Sequence, residues 1–163
     1  MTKPSADIVR LAVDRFALPL FGIHGILHWM RVLETGVTLA EITGADIEVV
    51  RNFALLHDLG RRDDGIDPMH GKRSAQMVRN LKNELDLSED QFMLLVEAIQ
   101  HHNTARHHDS VTIQTCWDSD RLDIGRTGRI PQIEYLGTEI AKDPATIKWA
   151  YDRSVEENLQ HKS

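Results

Sequence analysis

The chain has 163 residues, 41% of them apolar and 27% charged, which fits one ordinary domain around a single core and excludes disordered and fibrous classes. Its net charge of −6 argues against duplex nucleic acid as a partner, since that binding depends on neutralising many phosphates, but a small anionic substrate needs only a few local positive charges. No apolar run reaches membrane-spanning length, the start MTKPSADIVRLAVDR places Asp7 and Asp14 where a secretory signal needs an unbroken apolar run, and Cys116 is the only cysteine; no membrane partner, no internal disulfide and a cytoplasmic location are therefore expected.

The pattern then reads as helices in series. Residues 5–18 carry Ile8, Leu11, Ala12 and Phe16 at helical spacing, and Pro19 stops the run. Residues 24–41 follow, with Ile26, Leu27, Met30, Leu33 and Val37 as an apolar stripe broken at Thr43-Gly44. A third helix, 45–58, carries Ile47, Val50, Phe53, Ala54 and Leu56, and Gly60 is expected to end it as a glycine cap. The loop RRDDGIDPM holds Asp-Gly and Asp-Pro turn chemistry, and a fourth helix covers 70–85. Ser88 and Gln91 form a capping-box pair that starts a fifth helix running to His102. A sixth spans 111–124, although its VTIQT start would tolerate a strand, and Gly125 and Gly128 close it. One helix over 131–141 and another from Asp143, with Pro144 at its first position, complete the chain. No repeat or linker marks a second domain, so residues 1–163 read as one all-α domain, a helical bundle with its core in the second to sixth helices.

Nine histidines are many for this length, and eight lie between residues 24 and 108. His28 sits between Leu27 and Trp29 in a stripe that should face the core, His57 and Asp58 follow Ala54, Leu55 and Leu56, and Asp120 lies close to Trp117 and Leu122. A buried carboxylate is costly unless it is paired or bound to a cation, so two carboxylates among several imidazoles point to a metal. Imidazole and carboxylate together suit manganese, iron, zinc, cobalt or nickel, and no thiolate lies nearby to make a closed structural zinc site. Any one of these residues alone reads more simply as a satisfied core or surface side chain; the ordered set H…HD…H…HH…D carries the inference.

That set, with its surroundings, resembles the HD-domain superfamily of metal-dependent phosphohydrolases over roughly residues 20–130, leaving 131–160 as C-terminal helices. HGILHWMRV is similar to the family's first-histidine helix, whose ligand precedes an Arg-Val pair, which implies His28 rather than His24. FALLHDLGR resembles the signature that names the family, and CWDSDRLDIGR resembles its last motif, which selects Asp120 over Asp118 and Asp123. The resemblance implies that His28, His57, Asp58 and Asp120 bind one metal ion. His70 and the pair His101-His102 resemble the extra histidines of the binuclear branch, in which Asp58 would bridge two ions, His70 and His101 would hold the second, and His102 is a further candidate; magnesium is compatible with that second site. Adjacent helical residues point about 100° apart, so His101 and His102 can both reach one site only at a frayed helix end. His24, four residues before His28, shares its helical face and is a candidate for substrate contact or support of a ligand.

The chemistry implied is hydrolysis of a nucleotide or other small phosphorylated metabolite by a water that the metal activates, with Asp58 at its centre. Arg61, Arg62, Lys72 and Arg73 are candidates for gripping phosphate, and Asp63 or Asp64 for protonating the leaving oxygen. His107, His108 and Asp109 read as a solvated loop. Two departures restrict the substrate: the Glu-Asp pair of the alarmone hydrolases is not present in that form, and HHNTARHHD replaces the Gly-Tyr-Pro text of the cyclic dinucleotide branch. A di-iron oxygenase of the same superfamily and a non-catalytic metal or nucleotide sensor are the competing readings. A homodimer is compatible with the sequence.

Overall fold

Among the described residues, 6–160 of the computed structural model, the apolar stripes become α-helices joined by turns, with no strand. They are α1 (Ala6–Arg15), α2 (Ile26–Thr43), α3 (Ile47–Leu56), α4 (His70–Asn80), α5 (Glu89–His101), α6 (Val111–Leu122), α7 (Glu139–Lys142) and α8 (Pro144–Gln160). Tight 3₁₀ turns cover Lys82–Glu84, Asp123–Thr127 and Ile133–Tyr135. The expected start of the first helix at Ser5 lies outside the described residues. No helix among them is long and apolar enough to cross a membrane.

The α2–α3 corner shows how local chemistry sets the frame. Gly44 ends α2 at φ +78, a left-handed conformation that costs glycine no Cβ clash, and its N–H donates to the Ala40 carbonyl at 2.9 Å. Asp46 then caps α3 by accepting from the Glu48 and Val49 N–H groups at 3.0 and 3.1 Å. The Ser88–Gln91 capping box forms as expected, and the Gln91 amide also reaches Asp46 at 2.9 Å, tying the start of α5 to that of α3.

α2 packs against α3 and α6, α3 against α5, and α4 against α5. Trp29, Val32, Val50, Phe53, Leu95, Ile99 and Trp117 fill the space between them, almost fully buried. The Trp29 indole donates to the His24 carbonyl at 2.8 Å and the Trp117 indole to the Ala98 carbonyl at 2.9 Å, so neither leaves a buried donor unpaired. A smaller cluster of Leu39, Leu122, Leu136, Ala141 and Ala150 seats α7 and α8.

The structure differs from the sequence reading in three places, the first being that the fourth helix stops at Asn80 rather than at residue 85, with Lys82–Glu84 a separate 3₁₀ turn. Gly60 is no left-handed cap: among the described residues only Gly44 and Gly128 have positive φ, and α3 ends at Leu56. Gly60 is required for close approach instead, because a Cβ there would stand 2.4 Å from the Ser74 nitrogen on α4. The segment 131–141 is not one helix either. Buried Asp118 takes the N–H groups of Gly137 and Thr138 at 2.9 and 2.8 Å and the Thr138 hydroxyl at 2.7 Å, which pins the chain in a turn and leaves only a 3₁₀ turn and short α7.

A candidate metal centre

Four imidazoles reach the middle of the bundle with one ring nitrogen already engaged. His28, on α2, donates from Nδ1 to Asp123 Oδ2 at 2.7 Å. His57 ends α3 and donates from Nδ1 to the Phe53 and Ala54 carbonyls, 3.1 and 3.2 Å away. His70 opens α4 with Nδ1 on the Asp67 carbonyl at 2.5 Å, and His102 follows α5 with Nδ1 on the Ile99 carbonyl at 2.6 Å. Carbonyl and carboxylate oxygens can only accept, so each Nδ1 carries the hydrogen and each neutral ring is left with a bare lone pair on Nε2.

Those lone pairs converge. His28 and His57 bring their Nε2 atoms to 3.1 Å, and His70 and His102 bring theirs to 2.9 Å. Two lone pairs that close repel unless a positive species lies between them, so the donor set fits a divalent cation at each pair. Asp58 supplies the negative charge that such ions need. Its Oδ2 lies 3.7 Å from His28 Nε2 and 3.5 Å from His57 Nε2, while its Oδ1 lies 3.3 Å from His70 Nε2 and 3.6 Å from His102 Nε2. Asp120, at the end of α6, completes the first pair with Oδ1 at 3.3 Å from His28 and 3.5 Å from His57. Two groups therefore have mutual spacings suited to an ion: His28, His57 and Asp120, and His57, Asp58 and His102.

The electrostatics agree with this. Burial opposes ionisation of Asp58 and of Asp120, yet His57 and the neighbouring imidazoles hold both carboxyls well below the usual range. Burial, then His102, pushes His70 down to about 4, so it is neutral near pH 7 as a ligand must be. Burial and then Arg126 lower His28. His57 moves the other way: against the effect of burial, Asp58 and Asp120 raise it. With Nδ1 committed, an added proton would have to sit on Nε2, the same point that a cation fits.

The remaining sequence candidates divide between neighbours of this centre and residues that it does not include. His24 is a neighbour, with Nδ1 3.1 Å from Asp58 Oδ2 and Nε2 3.1 Å from the Asp64 carbonyl; it supports the Asp58 carboxylate rather than adding a lone pair. Arg61 Nε lies 3.4 Å from Asp58 Oδ1 and has no hydrogen bond, while its Nη1 holds the Asp63 and Gly65 carbonyls. His101 is not brought in. α5 ends on it with its ring beside the Gln100 amide at 3.4 Å, and it is His102, one step round the axis, that turns inward. Lys72 is exposed and stands two positions, about 200° of helix, from His70. Arg73 is committed to the Gly60 carbonyl at 2.9 Å and to both oxygens of Asp67, so it clamps the loop. Arg62 and Asp64 are exposed; the Asp64 carboxylate lies 3.8 Å from the Cβ position of Gly22, and only the main-chain carbonyl of that residue meets the site.

Three contributors had no role in the sequence reading. Asp123 orients His28 and takes Arg31 through both oxygens at 2.7 and 3.1 Å. Arg31 lies one turn beyond His28, and its arginine in an apolar stripe was the signal to look for a buried acid. Arg126, on the 3₁₀ turn after α6, donates to the Ile23 carbonyl at 2.8 Å and lies 3.4 Å from His24, which adds a cation to the rim.

Comparison with known proteins gives the following. The chain matches the HD domain family over residues 25–150. It is 25% identical to a symmetrical bis(5'-nucleosyl)-tetraphosphatase of Staphylococcus aureus (strain NCTC 8325 / PS 47), with 80% of this chain and 71% of that protein covered. A crystal structure described as a predicted HD superfamily hydrolase, from an uncultured Thermotogales bacterium, superposes with a TM-score of 0.70 at 25% identity, covering 96% of this chain and 90% of that one.

Proposed function

Because the chain belongs to the HD-domain family, we propose that it is a metal-dependent phosphohydrolase whose substrates are nucleotide polyphosphates, a dinucleoside tetraphosphate foremost. The observation that carries this reading is the division of Asp58: each carboxylate oxygen faces its own pair of imidazole lone pairs. Ions held by His28, His57, Asp58 and Asp120 on one side, and by Asp58, His70 and His102 on the other, would supply an activated water and neutralise charge on the phosphate oxygens. The relative's name supports the substrate class.

The chain's own residues do the rest. Asp123 fixes the tautomer and tilt of His28, and the carbonyls at the ends of α3 and α5 do the same for His57 and His102. His24 holds the position of Asp58 Oδ2. Arg61 shapes the 61–65 loop through two carbonyls and keeps its Nε 3.4 Å from Asp58 Oδ1, beside the place where a phosphate would meet the ions. Asp120 is the most open ligand, with 18% of its side chain exposed against 3% for Asp58, so substrate approaches from its side.

Purified protein loaded with manganese, cobalt, nickel or magnesium should release nucleoside diphosphate from bis(5'-adenosyl)-tetraphosphate under nitrogen. Asp58→Ala should lose both metal and turnover while its circular dichroism stays helical. Turnover that requires dioxygen, or full activity in Asp58→Ala, would overturn the proposal.

A further inference from the structure

A groove of about 820 Å³ runs along the chain that leaves α6, and neither the metal centre nor the phosphate contacts account for it. Its walls come from Arg121, Ile124, Arg129, Ile130, Pro131 and Tyr135, a volume and an apolar-with-cation composition usual for small-molecule sites. Three large apolar side chains stand unusually exposed in this short stretch: Ile130 at 67%, Ile133 at 54% and Tyr135 at 48%. Apolar exposure concentrated in this way marks a binding surface more often than scattered single residues do.

We propose that this groove binds the nucleoside of the substrate, with Tyr135 as the stacking platform and Arg129 at the phosphate end. The inference rests on the nucleotide phosphohydrolase reading and adds the determinant of base binding. One side of the Tyr135 ring carries the Arg106 guanidinium, 4.7 Å from the ring centre, and the residue is still 48% exposed. Arg121 fixes the platform: it donates to the Tyr135 carbonyl at 2.8 Å and the Ala105 carbonyl at 2.6 Å, and stacks over Trp117. Arg129 makes no ion pair with a carboxylate among the described residues, so the groove keeps one uncompensated cation beside Arg121, which Asp120 and Asp118 partly offset, in a chain of net charge −6. That charge suits an anionic ligand with a flat aromatic end and disfavours an acidic second copy of this chain.

Arg121, on the groove wall, is the residue after Asp120, and its Nη2 lies 3.4 Å from the carbonyl of His102. A nucleotide seated on Tyr135 would extend its phosphates past Arg121 towards the Asp120 side.

The test compares ATP with inorganic tripolyphosphate as probes, using calorimetric titration of the full chain. Tyr135→Ala should weaken ATP about tenfold and leave tripolyphosphate unchanged, since it removes the ring on which the base stacks and no phosphate contact. Arg129→Ala should weaken both. In kinetics, Tyr135→Ala should raise KM for bis(5'-adenosyl)-tetraphosphate far more than it lowers kcat. Equal ATP affinity in Tyr135→Ala and the native chain, no ATP binding by the native chain, or a variant that changes only the oligomeric state overturns the groove assignment. Tyr135-dependent ATP binding without release of nucleoside diphosphate from bis(5'-adenosyl)-tetraphosphate would overturn the hydrolase reading and leave the groove standing.

Discussion

Asp123 accepts the Nδ1 hydrogen of His28 at 2.7 Å, and this one contact turns the opposite ring nitrogen towards His57, Asp58 and Asp120. The same carboxylate neutralises Arg31, which is 2% exposed and among the described residues has only Glu157 as a further acidic partner. Asp123→Ala therefore removes the support of a ligand and the main partner of a buried cation together. Metal affinity should fall about 10–100-fold, as for loss of comparable supporting groups. Stability should fall by a few kcal/mol, because breaking a buried pair from one side leaves a charge uncompensated. Metal titration and urea unfolding of the variant read the two effects separately, and unchanged values in both would refute the assignment.

The adjacent histidines give a sharper comparison. His102 Nε2 faces His70 at 2.9 Å and Asp58 at 3.6 Å, whereas the His101 ring lies beside the Gln100 amide at 3.4 Å. His102→Ala should reduce the bound metal from two ions per chain to one and remove most activity. His101→Ala should retain both ions and activity within about twofold, a surface substitution of small effect. Metal content by plasma mass spectrometry decides between the residues, and the reverse pattern would move the second site.

These two cases show where the sequence is informative. His28, His57 and Asp58 stood out because each follows or interrupts an apolar run, where a polar group carries a desolvation cost that calls for an explanation, whereas Asp120 was singled out from Asp118 and Asp123 only by the family resemblance. The choice between His101 and His102 was not, since it turns on where α5 stops; one residue of helix end is about 100° of direction, and boundaries are uncertain by that much. Arg126 was hidden because its approach to His24 depends on the 3₁₀ turn at Asp123–Thr127, which continues α6 with different periodicity. The expected helix over 131–141 failed for a tertiary reason: Asp118, buried one turn before Leu122, captures the main chain at Gly137 and Thr138.

Gly60 offers a test of how the two halves of the centre are kept together. It lets the turn after Asp58 lie against the first turns of α4, where a Cβ would stand 2.4 Å from the Ser74 nitrogen and 2.8 Å from the Arg73 carbonyl carbon. Backbone cannot swing aside as a flexible side chain does, so Gly60→Ala must push α4, and with it His70, away from Asp58. Overpacking of this kind typically costs about 1–3 kcal/mol. The Gly60→Ala protein should melt earlier and bind its second ion more weakly than its first. Equal weakening at both ions would mean that the strain spreads through the whole bundle.

Cys116 provides a check on the core that does not involve the metal centre. The thiol is fully buried on α6, and burial, reinforced by the Asp46 carboxylate, pushes its pKa far above the ordinary thiol range. Only the thiolate reacts with a disulfide reagent, and a group that stays protonated and shielded offers almost none. Labelling by dithionitrobenzoate at pH 8 should therefore be slow in the native protein and should reach one equivalent per chain only in denaturant. Its native rate should follow opening of the core, rising in destabilised variants such as Gly60→Ala and falling when metal binding stabilises the fold. Fast stoichiometric labelling of the native protein would place α6 differently from the arrangement described, and Asp120, four residues further along the same helix, with it.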